Sequence, residues 1–266
     1  MNDSAIGIFD SGLGGLTVMR AIQKLMPHEN IIYFGDTARL PYGGKSAATI
    51  LRYTLESASF LKEQNIKILV IACNTSCCAA LEEVRKATDI PVIGITEQGV
   101  EEIARLFPTG KIGLLATRAT INSEVYQEQI LARCPEVELF PISCPLFVPL
   151  IEEGFVEHSI SRLAIQEYLH PLKNKNIQGI LLGCTHYPLL QSAIKQELGS
   201  HIPLIDPAQA CAKKTQQVLA ETNLLTSSTS QPHYQFFVSD DPEKFRQHGG
   251  AFLDHPIERI AQTTDF

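Results

Sequence analysis

The chain has 266 residues, 44% of them hydrophobic, which supplies a core for one large domain or two smaller ones and excludes general disorder. Its 22 basic residues against 29 acidic ones leave a net charge of −7, and no stretch combines a dense Lys/Arg block with aromatic residues, so nucleic acid is not an expected partner. No window approaches the roughly 18 apolar residues of a membrane span, and the N-terminus "MNDSAIGIFDSG" lacks a basic segment leading into a long apolar one, so the expectation is a soluble, cytoplasmic protein without membrane partners.

Taken in chain order, short apolar and β-branched runs alternate with longer segments of helical periodicity. "AIGIF", "NIIYF", "ILVIA", "PVIGI", "KIGLLA", "VELFP", "GILLG", "PLI" and "YQFFVS" read as strands, several of them apolar throughout and bounded by Gly, Pro, Asp or Asn. Between them "GGLTVMRAIQKL", "SAATILRYTLESASFLKEQ", "TSCCAALEEVRKA", "SEVYQEQILARC", "SISRLAIQEYL", "YPLLQSAIKQEL" and "DPAQACAKKTQQVLAE" read as helices, and the Ser/Thr-rich "TSSTSQ" reads as a surface loop. This alternation predicts an α/β protein with largely parallel sheets flanked by helices. A repeated pattern of strand, cysteine and helix start predicts two similar α/β domains with the active site in the cleft between them. Their expected limits are residues 1–96 with 207–266 for the first and 97–206 for the second, with crossovers near Ile95–Gly99 and Asp206.

The repeat centres on "VIACNTSCC" and "ILLGCTHYP". Cys73 and Cys184 each end an apolar strand and are followed by small hydroxyl or amide residues: Asn74 and Thr75 in the first case, Thr185 and His186 in the second. Ligands of parallel sheets collect at the carboxyl ends of strands, where helix N-termini favour an anion or a thiolate. A lone cysteine in such a place is commonly a small buried hydrophobe, and recurrence at equivalent positions argues against that reading. Seven cysteines in a chain of this size suggest reduced thiols rather than a disulfide framework. Cys73 with Cys77 has no second pair of similar spacing, so no metal site is expected. Cys77, Cys78, Cys134, Cys144 and Cys211 read as structural.

Other stretches fall at the same end of the sheet. "FDSGLGG" puts Asp10 and Ser11 after the first strand, with a glycine-rich turn that lacks the spacing of a dinucleotide fingerprint or a P-loop; helix capping is an equally good reason for Asp10 and Ser11. "FGDTARLPYGG" puts Pro41, Tyr42 and Gly43 after the second strand, as a pocket wall or a plain turn. Glu152 and His186 are ionisable groups in apolar surroundings.

Together "FDSGLGGLTV", "YFGDTARLPYG", "IACNTS", "PVIGI", "SCPLFVPLIEEG" and "GCTHYPLL" resemble the glutamate racemases of the cofactor-independent aspartate/glutamate racemase superfamily, from about Ile6 to "FVSDDPEKF". The resemblance implies an isomerase that interconverts L- and D-glutamate without pyridoxal phosphate or another cofactor and supplies D-glutamate for peptidoglycan. It matches Cys73 and Cys184 to the catalytic pair, and Asp10 with Ser11, Tyr42 with Gly43, Asn74 with Thr75 and Thr185 with His186 to substrate-binding dipeptides. It also matches Asp10, Glu152 and His186 to helpers of thiol proton exchange. A homodimer is common among such proteins, although oligomeric state is not legible in the sequence. Thr96, Gln98, Asp240 and the cysteines after Thr75 depart from the usual pattern, which touches packing and the hinge more than reaction type. Ile6 follows Met1 almost directly, so control through an N-terminal extension is not expected. The nearest rivals are a racemase for aspartate or another small acid, a non-catalytic amino-acid-binding protein, and a structural-metal protein.

Two thiols suit such a reaction for a simple reason. Inversion at an α-carbon needs a proton taken from one face and another delivered to the opposite face, and one thiolate with one thiol meets that need. A free thiol near pKa ~8.5 needs lowering at neutral pH, and donors such as Asn74, Thr75 and Thr185 would steady the developing carbanion. Asp10 is expected to work nearer Cys73 and His186 nearer Cys184.

Overall fold

The computed structural model describes residues 4–264. The chain begins with β1 (Ala5–Asp10), α1 (Leu16–Leu25), β2 (Ile31–Gly35), α2 (Ala47–Glu63), β3 (Ile66–Ile71), α3 (Asn74–Ala87) and β4 (Val92–Gly94). It continues through α4 (Ile95–Leu106), β5 (Thr109–Ala116), α5 (Arg118–Asn122), α6 (Val125–Arg133), β6 (Glu136–Ser143), α7 (Phe147–Glu152), α8 (Ser159–Leu169), β7 (Gly179–Gly183), α9 (Gln191–Leu198) and β8 (Leu204–Ile205). It returns by α10 (Ala208–Glu221) to β9 (Tyr234–Val238), α11 (Pro242–Leu253) and β10 (Ala261–Gln262).

Two sheets result, with strand orders β10-β9-β2-β1-β3-β4 and β6-β5-β7-β8, and their pairings are parallel. The apolar runs explain this: β1, β2, β3 and β7 are buried along their whole length, as strands covered by helices on both faces must be. In the first sheet β2 and β3 flank β1, and in the second β6 and β7 flank β5, so the winding reverses about β1 and about β5. Those reversals, between β1 and β3 and between β5 and β7, leave a crevice at the carboxyl ends of the strands.

Several elements differ from the sequence expectation. The crossover after β4 is α4 itself, which begins at Ile95 directly after Gly94, so the expected boundary between residues 96 and 97 falls inside a helix. "YPLLQSAIKQEL" is a 3-10 turn (Tyr187–Leu190) followed by α9 rather than one helix, with Pro188 in the turn. The helices α4, α7 and α11 were not expected: Gly99, Pro149 and the pair Gly249–Gly250 interrupt their apolar periodicity, and tertiary packing outweighs that local penalty.

Beneath the first sheet lies a buried ion pair. Lys67 Nζ at the start of β3 sits 2.6 Å from Glu29 Oε2, and the other Glu29 oxygen accepts from Thr226 N at 2.7 Å, which ties the Ser/Thr-rich loop to the amino-terminal ends of the strands. Removing one partner strands a charge without water, so Lys67→Ala is expected to lower the unfolding free energy by about 3–5 kcal/mol in urea denaturation. A loss below about 1 kcal/mol, the scale of an exposed pair, would contradict this reading.

Candidate active site

The carboxyl ends of β1, β3, β5 and β7 meet around one cavity of about 120 Å³. A cavity of about 150 Å³ holds one benzene molecule, so the volume suits a small acid and not a nucleotide. Ser11, Tyr42, Gly43, Cys73, Asn74, Thr75, Cys184, Thr185 and His186 line it, which brings together nine of the sequence candidates. Asp10 and Glu152 are not among the lining residues; each lies behind a neighbour that is.

Cys73 is the N-cap of α3, and its sulfur accepts from Ser76 N at 3.4 Å. A sulfur in this position replaces the hydroxyl or carboxylate oxygen of an ordinary cap and faces the positive end of a helix of 14 residues. Ser11 Oγ lies 3.7 Å from the same sulfur. Burial nevertheless pushes the Cys73 thiol up to about 12, with the Asp10 carboxylate adding to the rise and the hydrogen bonds with Ser76 and Ser11 opposing it. Cys73 is therefore a neutral thiol in the substrate-free site at neutral pH.

Cys184 has different company. The helix expected to follow it directly is displaced by the 3-10 turn, and its neighbour is an imidazole: His186 Nδ1 lies 3.8 Å from Cys184 Sγ, and His186 Nε2 lies 2.6 Å from Glu152 Oε1. Burial alone would pull the His186 pKa down, and hydrogen bonds and charge from Cys184 and Glu152 more than reverse it, so the ring is held well above its ordinary value. Phe252 of α11 packs edge-on against this ring at 5.5 Å and closes it from solvent.

Asp10 joins the two sides. Its Oδ1 accepts from Gly12 N at 2.9 Å and its Oδ2 from Thr185 Oγ1 at 3.2 Å. Burial raises its pKa, while the nearby His186 charge and the turn N–H groups pull the other way. The glycine-rich turn is what allows this approach: a Cβ on Gly14 would stand 2.3 Å from Thr185 Oγ1 and 2.4 Å from His186 Nδ1. The "FDSGLGG" turn is thus a close-packing device between the halves.

The opposite wall carries donors. Asn74 Oδ1 is taken by Tyr126 OH, and Asn74 Nδ2 is buried with no partner. Thr75 Oγ1 lies 2.9 Å from Thr117 Oγ1 and 3.1 Å from Thr120 Oγ1, a triangle of hydroxyls across the seam. Tyr42 is held by its hydroxyl on buried Asp36, which also accepts from Arg39 Nε at 2.6 Å and Ser239 Oγ at 2.8 Å. The sequence did not point to Leu40, Gly44, Thr117, Arg118, Pro145 and Val148 in the lining. Thr117 was findable, since it follows the "KIGLLA" strand at the same end as both cysteines; Pro145 and Val148 carry no chemical signal.

Two thiols from two parallel α/β halves face one small cavity rich in hydroxyl and amide groups, an arrangement suited to moving protons at carbon in a small acid. The chain belongs to the Asp/Glu/Hydantoin racemase family, whose model matches residues 7–215. It is 43% identical over 260 residues to the glutamate racemase of Geobacter metallireducens, covering 98% of this chain and 96% of that protein. It is 46% identical over 247 residues to the glutamate racemase of Chlorobaculum tepidum, covering 92% of this chain and 91% of that one. The crystal structure of glutamate racemase from Francisella tularensis in complex with D-glutamate superimposes with a TM-score of 0.93 at 42% identity, over 99% of this chain and 98% of that one.

A protonated His186 gives the fold a pH signature. Its folded pKa lies above the ordinary 6.5, so the stability it adds is fully present below about 6.5 and is lost as pH rises through the raised value. The difference in melting temperature between the wild type and His186→Gln is therefore expected to be largest near pH 6 and to shrink as pH rises. A difference that grows with pH would contradict a cationic ring.

Proposed function

We propose that this protein interconverts L- and D-glutamate by two-base proton transfer at the α-carbon, with Cys73 and Cys184 as the bases and no cofactor in the chemistry. The observation that carries this reading is the placing of two thiols, one from each half, on one buried cavity. The choice of glutamate follows the relatives, which are glutamate racemases by name. The catalytic units in this reading are residues 1–96 with 207–266 and residues 97–206, hinged where α4 and α10 cross between them. The product D-glutamate supplies peptidoglycan synthesis in the cytoplasm.

One thiolate removes the α-proton, the electron pair spreads into the α-carboxylate, and the opposing thiol delivers its own proton to the other face. The sulfur that gave up its proton is then the thiolate for the reverse reaction. The α-hydrogen is far less acidic than a thiol, so stabilisation of the enolate-like carboxylate is the largest demand. Asn74 Nδ2 with the Ser11 and Thr75 hydroxyls are the donors for it, while the Thr185 proton is committed to Asp10. Asp10, behind Thr185, holds a buried charge whose field favours the α-ammonium of an amino acid. That cation offsets the negative charge that helps hold Cys73 protonated, so binding substrate eases ionisation of the thiol.

His186 and Glu152 serve Cys184, and Asp10 serves both sides through Thr185 and through its charge on Cys73. Because enantiomers have equal free energy, kcat/KM must be equal in the two directions in every variant.

The test is chiral chromatography of L-glutamate and, separately, D-glutamate incubated with reduced protein free of cofactors, with aspartate in parallel. Both glutamate reactions are expected to converge on equal amounts of the two enantiomers, with aspartate far slower. Turnover of aspartate in place of glutamate would overturn the substrate, and turnover of neither by folded protein would overturn the reaction class.

A further inference from the structure

Building on the racemase reading, we infer that Tyr126 is a positioning residue, whose hydroxyl fixes the Asn74 side-chain amide with its nitrogen toward the substrate. Tyr126 lies on α6, is fully buried in the core of the second half, and does not line the cavity. Its hydroxyl donates to Asn74 Oδ1 at 2.7 Å, across the seam to the first residue of α3. Asn74 Nδ2 is left buried and unpartnered in a residue that lines the cavity.

A primary amide presents an acceptor on one side and two donors on the other, and rotation by half a turn exchanges them. An acid in the cavity needs the donor side. With nothing to hold Oδ1, the flipped amide would set a carbonyl oxygen against the substrate carboxylate at the point where negative charge grows. The phenol could also accept from a flipped Nδ2, but its own buried proton would then lose Oδ1 as acceptor, so the orientation with Oδ1 on Tyr126 is the satisfied one. Burial, reinforced by the nearby Cys78 and Cys77, pushes the Tyr126 phenol well above its ordinary pKa, so it keeps its proton throughout the working range.

The seat of the phenol is made by an absent side chain. On α4, a Cβ at Gly99 would come within 2.8 Å of the Tyr126 hydroxyl and 3.0 Å of its Cε1. Glycine at this point of the helix gives the ring the room it uses to reach Asn74.

The inference is tested by a double-mutant cycle in kcat/KM for glutamate, using Tyr126→Phe, Asn74→Ala and the combined variant. Wild-type turnover in the same assay separates failure of the racemase reading from failure of this one. Tyr126→Phe is expected to lower kcat/KM about tenfold when Asn74 is present, the scale of one buried hydrogen bond. In the Asn74→Ala background it should change kcat/KM by less than about twofold, because the residue through which it acts is gone. Gly99→Ala, which crowds the same hydroxyl, carries the same cycle should Tyr126→Phe not fold. Equal losses in both backgrounds would show that Tyr126 acts through packing alone, and no loss with Asn74 present would show that the amide needs no support; either result overturns the inference.

Discussion

The site depends on one buried carboxylate. Asp10 ends β1 of the first sheet, and its two oxygens are divided between the turn that follows it and Thr185 of the second sheet. Two parallel sheets have no reason of their own to present their strand ends to each other. The hydrogen bond across the seam, with Gly14 reduced to backbone beneath Thr185 and His186, brings the two winding reversals to one point. The cavity, its donors and both thiols follow from that closure. Lys244 of α11 adds an outer clasp with Glu153, 2.7 Å away at the end of α7.

The two halves resemble each other in strand order around the site, yet they treat their thiols differently. Cys73 is steadied by a helix N-terminus and by hydrogen bonds with two serines, all neutral partners. Cys184 faces an imidazole paired with a carboxylate. A racemase must pass between two protonation states of nearly equal free energy, and matched surroundings are one way to achieve this. In this protein the surroundings of the two thiols are unlike: a helix N-terminus with hydroxyls on one side, and the hydrogen-bonded pair of His186 and Glu152 on the other. Asp10 lies close enough to both to couple them.

Much of this was legible in the sequence because buried parallel strands read as uninterrupted apolar runs, and chemistry in such folds gathers where those runs stop. "ILVIA" and "GILLG" announced β3 and β7, and so placed Cys73 and Cys184 at the crevice. The expected symmetry between the cysteines was only half right, since local pattern cannot distinguish a helix start from the 3-10 turn at Tyr187–Leu190. The helices α4 and α11 were obscured by glycines that the fold needs for close approach, so the residues that hid the helices are the ones that let them pack. Tyr126 was beyond reach for another reason: its importance lies in one contact with a residue 52 positions earlier, and nothing in "SEVYQEQ" marks it.

The proposed mechanism assigns the proton lost and the proton gained to two different sulfurs. Heavy water tests it most directly: L-glutamate is racemised to a few per cent conversion, the enantiomers are separated, and the α-position of each is read by mass spectrometry. Two-base transfer predicts D-glutamate carrying deuterium and residual L-glutamate still carrying hydrogen. D-glutamate that retains the original α-hydrogen would mean that one group performs both transfers, and would contradict the separate roles of Cys73 and Cys184.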